Sequence, residues 1–323
     1  MRTITLEEHY ATPGFLSGPG RPIVERAALP GDRMAQILER LRDVGDKRIA
    51  EMDAAGIDMQ VLSLNTPGLE QCDAVEAAAL AREANDFVAA AVERYPARFA
   101  GFAALPLAAP EQAADELECM VRQCGFRGAI INGHHRGRYL DDSFFWPILE
   151  RAESLGVPIY LHPTQPPQPV IEASYGGFKP DVTYMLAGAG WGWHIETAIH
   201  VLRTILGGAF DRFPALQLII GHMGEALPFM SSRVDVMTTA ITGLKRPVSA
   251  YLRENVYYTF SGFNFIPTFL DLLLQVGVDR IIFSADYPYG SMAQARTFLD
   301  QLPVSASDRT RIAHGNAERL LGL

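Results

Sequence analysis

Short runs rich in Val, Ile, Leu and Phe alternate with helical patterns along this chain eight times over, and few architectures accommodate that order. The expected strands cover residues 3–8, 58–65, 99–105, 127–132, 157–162, 216–221, 255–260 and 280–284. Helical patterns follow at 32–55, 72–95, 110–124, 143–155, 193–213, 225–239 and 265–276, and two more close the chain at 292–301 and 308–321. Several strand runs are apolar throughout rather than alternating, as parallel strands covered on both faces are. Pro110 suits a first helical turn, and Gly125, Gly156 and Gly277 follow last turns, where a left-handed residue is tolerated. This order predicts an α/β fold of the (β/α)8 TIM-barrel type. An open doubly wound sheet fits less well, and no Gly-x-Gly-x-x-Gly follows any strand to suggest a dinucleotide. Without an internal repeat or a Ser/Gly linker, residues 1–323 are expected to form a single domain. Two connections, 10–31 and 163–192, are long and rich in Gly and Pro, and are expected to roof the active site.

Composition narrows the function classes. With 48% hydrophobic and 20% charged residues the chain is of ordinary globular type. A net charge of -9 and only three lysines, Lys47, Lys179 and Lys245, argue against a nucleic-acid partner, because a phosphate-binding face needs clustered Lys and Arg. The weakly polar run 99–110 is broken by Gly and Pro and falls short of the roughly 20 residues of a membrane helix. The N-terminus enters a strand-like run with no export signal in view. Cys72, Cys119 and Cys124 are odd in number and suit small hydrophobic roles in a reducing compartment, so a cytoplasmic protein is expected.

Chemistry enters through the placement of ionisable residues. Glu7 and His9 end the first strand, His162 ends the fifth, His222 follows the sixth and Asp286 follows the eighth. All are C-terminal strand ends, the barrel face that carries catalytic groups. Glu7 and His9 are two residues apart, so in an extended strand their side chains share a face. Burying such a cluster unpaired is costly, and a divalent cation is its usual partner. Imidazoles and carboxylates without a thiolate suit Zn2+ or Mn2+. His134, His135, His194, His200 and His314 are expected to be ordinary satisfied or solvent-facing histidines.

These residues also carry a resemblance. Glu7-Glu8-His9, His162-Pro163, Gly221-His222-Met223-Gly224-Glu225 and Phe283-Ser284-Ala285-Asp286-Tyr287-Pro288 resemble the decarboxylase branch of the amidohydrolase superfamily, the branch of aminocarboxymuconate-semialdehyde decarboxylase. Within it the likeness is nearest to γ-resorcylate and 2,3-dihydroxybenzoate decarboxylases and runs from end to end. Weaker fragments, such as Gly315-Asn316-Ala317-Glu318-Arg319, support it by their order.

The resemblance implies that Glu7, His9, His162 and Asp286 hold one divalent metal ion, and that Asp286, His222 and Glu225 are catalytic. It implies that Trp193 and Tyr289 stand against the substrate ring and that Arg233 reaches the site of a neighbouring subunit, which requires a homodimer or homotetramer. The fourth strand offers no lysine to bridge two ions, and the first offers Glu-x-His rather than His-x-His, so one metal is expected. The implied reaction is loss of CO2 from a small aromatic carboxylic acid of the hydroxybenzoate type, with Asp286 protonating the ring. The alternative is a mononuclear hydrolase of a lactone or amide, with the ion activating water. A barrel alone does not separate the two.

Overall fold

The computed structural model describes residues 1–29 and 33–323. The end of the expected connection 10–31 and the start of the expected helix 32–55 therefore lie outside the described residues.

All strand pairings are parallel. The strands are β1 (Ile4–Tyr10), β2 (Met59–Leu64), β3 (Phe99–Gly101), β4 (Ala103–Ala104), β5 (Ala129–Asn132), β6 (Ile159–His162), β7 (Leu218–Ile220), β8 (Val256–Thr259) and β9 (Ile281–Ile282). They fall into two ladders, β1-β2-β3 and β4 through β9. The expected third strand accounts for both β3 and β4. It breaks at Phe102, whose amide still donates to Leu62 on one side while Ala103 donates to Gly128 on the other. At the other seam Leu6 bridges Ser284, and the His9 amide donates to Tyr287 at 2.7 Å. The eight expected strands thus close on themselves as the positions of a (β/α)8 barrel.

The interior explains why this closes. Ile4, Leu6, Met59, Val61, Ala100, Phe102, Ile130, Tyr160, Ile219, Tyr257 and Ile282 form one buried cluster with Ala317 and Leu321 of the C-terminal helix. Every strand position sends side chains into this packed column, as a barrel requires. The intervening residues, such as Leu62, Leu64, Ile131 and Leu161, face outward into a second and larger apolar cluster shared with the helices. Both faces of each strand are therefore dry, which accounts for the near-continuous apolar runs in the sequence.

The helices depart from expectation where local chemistry intervenes. The pattern 32–55 is two helices, Met34–Leu41 and Asp46–Ala55, separated at Gly45, which is a poor helix former. The pattern 225–239 yields only Leu227–Val234, because Glu225 and Ala226 adopt left-handed backbone. The helix Val248–Glu254 was not anticipated. The two long connections are not structureless: the first holds Pro13–Ser17 and Arg21–Ala27, and the second holds Pro180–Ala187, each with proline in its first turn. No helix among the described residues is long and apolar enough to cross a membrane.

Candidate active site

Glu7 is wholly buried at the C-terminal mouth of the barrel. Its backbone has φ 68°, and the β1–β2 register shifts between Thr5 and Glu8. Glu7 and His9 therefore do not converge by simple strand alternation. A left-handed residue re-aims Glu7, while Glu8 turns to Gln60 and to the amide of Ala285.

The Glu7 carboxylate is clamped through Oε2, which accepts from the hydroxyls of Tyr160, Ser261 and Thr259. Tyr160 belongs to the interior column and lifts its hydroxyl from that column to the mouth. The other oxygen, Oε1, makes no hydrogen bond and lies 3.2 Å from His162 Nε2 and 3.7 Å from His222 Nε2. Burial alone would raise the pKa of Glu7, but the charges of His222, His162 and His9 outweigh it and hold the carboxyl well below the usual range.

Glu7, His9 and His162 offer ligand atoms that all lie within 4.8 Å of one another, each on a buried side chain. His9 Nε2 is 3.3 Å from Asp286 Oδ1, and the Asp286 side chain keeps 19% exposure. One carboxylate oxygen free of hydrogen bonds and two imidazoles at its side form a donor set that fits a single divalent ion, and Asp286 adjoins this trio through His9. Arg48, also wholly buried, supports the set from behind. It donates to the His9 carbonyl at 2.5 Å and lies over the ring of Tyr287, the residue after Asp286.

A second group adjoins the first. His222 Nδ1 meets Glu225 Oε1 at 2.7 Å, and His194 Nδ1 meets Glu225 Oε2 at 2.5 Å. With both carboxylate oxygens occupied by imidazole nitrogens, this triad is a hydrogen-bonded relay rather than a second ion site. Burial disfavours charge on His222, yet Glu225 and Glu7 override it and push the imidazole up to about 10. Burial would likewise raise Glu225, but His222 and His194 hold it below the ordinary carboxylate range.

Backbone strain marks the same residues. Among the described residues eight non-glycine positions have positive φ, and Glu7, His222, Glu225 and Asp286 are four of them. Such conformations cost about 1 to 3 kcal/mol each and persist where the surroundings over-determine them. Glycine is required beside them: a Cβ on Gly221 would lie 2.6 Å from Glu7 Oε2.

The aromatic candidates flank the ligands. The Trp193 ring is 6.4 Å from His162, and the Tyr289 ring is 5.9 Å from His9. Arg233 stands apart, exposed on Leu227–Val234, and its side chain has no hydrogen bond or ion pair among the described residues. Sequence reasoning missed His194, taken for an ordinary histidine, and the hydroxyl clamp on Glu7. Thr259 and Ser261 did carry a signal, since polar residues two apart at the end of an apolar strand share its inner face.

Comparison with known proteins adds to this geometry. A model of the amidohydrolase family matches residues 32–323. The chain is 39% identical to a gamma-resorcylate decarboxylase of Polaromonas sp. (strain JS666), an alignment that covers 99% of this chain and 98% of the relative. Among solved structures it resembles a dihydroxybenzoic acid decarboxylase of Polaromonas sp. JS666 with bound manganese and the inhibitor 2-nitroresorcinol, at TM-score 0.90 and 39% identity, covering 100% and 97% of the two chains. It also resembles a 5-carboxyvanillate decarboxylase of Novosphingobium aromaticivorans complexed with manganese, at TM-score 0.91 and 36% identity, covering 100% and 96%.

Proposed function

The chain belongs to the amidohydrolase family, and from that premise we propose that it is a metal-dependent carboxy-lyase that releases CO2 from an ortho-hydroxybenzoate without oxidation. The observation that carries the reading is the convergence of Glu7, His9 and His162 within 4.8 Å, with Asp286 against His9, at the mouth of the barrel. Glu7, His9, His162 and Asp286 would hold Zn2+ or Mn2+. When bound, the ion supplies Lewis-acid attraction for the phenolate and carboxylate oxygens of the substrate.

The chain's own residues account for the rest. Asp286, partly open on the rim, delivers a proton to the ring carbon that bears the carboxylate. That carbon becomes tetrahedral, the bond to the carboxylate breaks, and its electron pair restores the aromatic ring as CO2 leaves. His222, charged and paired with Glu225, returns the proton to Asp286. Trp193 and Tyr289, beside His162 and His9, bracket the ring and keep it dry.

Arg233 serves a second copy of the chain in this reading. It shares its helix with Phe229 and Met230, exposed by 78% and 42%, and an apolar face around an unpaired arginine suits a subunit contact in a homodimer or homotetramer. Residues 1–323 act as one catalytic unit. Cys72, Cys119 and Cys124 are free thiols, in keeping with a cytoplasmic setting.

The test is direct. Protein loaded with manganese and offered a panel of hydroxybenzoates is expected to release CO2 from those with a hydroxyl ortho to the carboxylate. Turnover confined to a parallel panel of lactones and amides would replace this reading with hydrolysis.

A further inference from the structure

His194 is the one member of the relay that the reaction above does not use, and its surroundings give each ring nitrogen a separate task. Nδ1 meets Glu225 Oε2 at 2.5 Å. An ionised carboxylate only accepts, so Nδ1 carries the hydrogen. On a neutral ring Nε2 is then a lone pair, and the indole Nε1 of Trp193 donates to it at 3.1 Å. The Ala189 carbonyl, also 3.1 Å from Nε2, can pair with it only if the ring is charged. The neutral ring is therefore the form that holds Trp193.

Packing fixes the ring between these partners. Its centroid lies 4.6 Å from that of His222 and 5.3 Å from that of Phe263, which itself packs against His222 at 5.4 Å. The turn that brings the ring in has no room for a side chain at Gly192, where a Cβ would meet the Ala187 carbonyl at 2.4 Å.

We propose that His194 is a positioning residue with two separable roles: through Nδ1 it fixes Glu225 and thereby His222, and through Nε2 it fixes the Trp193 indole as a wall of the substrate pocket. Among the described residues the side-chain hydrogen bonds and ring contacts of His194 are with Glu225, Trp193, Ala189, His222 and Phe263, none of them a proposed metal ligand. One side chain couples the acid–base pair to the surface that receives the ring. The proposal rests on the assignment of His222, Glu225 and Trp193 under Proposed function.

Amide side chains separate the roles. Asn places a nitrogen at the position of imidazole Nδ1, and Gln places its terminal amide at the position of Nε2. His194→Asn keeps a donor for Glu225 and loses Trp193, whereas His194→Gln keeps an acceptor for Trp193 and loses Glu225. With 2,6-dihydroxybenzoate and manganese-loaded enzyme, His194→Asn is expected to raise KM roughly five- to tenfold with kcat within about twofold of wild type. His194→Gln is expected to lower kcat roughly tenfold or more while KM stays near wild type. Trp193→Phe, which removes the indole donor and trims the pocket wall while leaving His194 intact, should reproduce the rise in KM.

Constants for both His194 variants that match wild type, that change alike, or that show the reverse split overturn the proposal, as does a normal KM for Trp193→Phe. His222→Asn distinguishes this failure from that of the underlying reading. If His222→Asn is inactive while both His194 variants are normal, only the role of His194 falls. If His222→Asn turns over normally with His194 intact, the assignment of the acid–base pair falls first.

Discussion

Gly221 and Glu7 compete for one volume: a β-carbon on Gly221 would stand 2.6 Å from Glu7 Oε2, the oxygen already held by Tyr160, Ser261 and Thr259. A carboxylate held by three hydroxyls cannot swing aside freely. Gly221→Ala is therefore expected to displace Glu7 and weaken metal binding at least tenfold, while overpacking costs the fold only about 1 to 3 kcal/mol. Metal titration alongside thermal melting checks this. Unchanged affinity would show that the clamp yields.

Removal of the ion should register in stability as well as activity, because an ion that binds only the folded chain stabilises it by mass action. At a free concentration about 100 times Kd that contribution is roughly 2.7 kcal/mol. Chelation is expected to abolish turnover and lower Tm by several degrees, both reversed by manganese. Glu7→Gln should show the low Tm response with or without added metal.

Asp286→Asn separates binding from proton delivery. An amide can still lie beside His9, where the carboxylate now sits at 3.3 Å, but it cannot give the ring a proton. Turnover is expected to fall roughly 10²- to 10⁴-fold with metal retained. In D2O the wild-type product should carry deuterium on the carbon that lost CO2, read by NMR. Near-normal turnover with metal bound would reassign the acid.

Glu70 predicts a pH dependence of stability. It is buried, and burial pushes it up to about 7 even though the Asn132 amide, 2.6 Å from Oε1, favours the ionised form. Below its unfolded value, near ~4.3, both states hold the proton. Between there and 7 only the folded chain does, so stability falls as pH rises, by about 1.4 kcal/mol per unit and on the order of 3 kcal/mol in total. Glu70→Gln cannot ionise, so its stability relative to wild type should rise from pH 4.5 to 7 and then level off, as measured by denaturant melts across that range.

The trans role of Arg233 can be tested by mixing. Arg233→Ala and Asp286→Asn should each be impaired alone. In a mixed dimer one site would combine an intact Asp286 with the partner's intact arginine. Activity restored on co-refolding, toward about a quarter of wild type for random pairing with one good site per mixed dimer, supports the arrangement. No restoration, or sedimentation of an active enzyme as monomer only, argues against it.

What the sequence alone determined follows from periodicity and composition. The alternation of apolar runs with helical patterns specified eight strand positions, because the two faces of a barrel strand must both be dry and only Val, Ile, Leu, Phe and their like satisfy that. Placement of Glu7, His9, His162, His222 and Asp286 at strand ends was legible for the same reason, since a charged residue that closes an apolar run marks where the strand leaves the core. Tertiary structure decided the rest. The left-handed turn at Glu7 accompanies closure and the clamp of Tyr160, Thr259 and Ser261, residues 153 to 254 positions away from it. His194 looked ordinary because a histidine acquires a role only from what it meets, and Glu225 and Trp193 reach it through the folding of the connection that precedes Gly192. Arg48 lies within the helix pattern 32–55, and only the tertiary fold buries its guanidinium on the His9 carbonyl. Local pattern encodes burial, which is a property of each residue and its near neighbours. Convergence of side chains from distant strands is a property of the closed barrel and appears only when it closes.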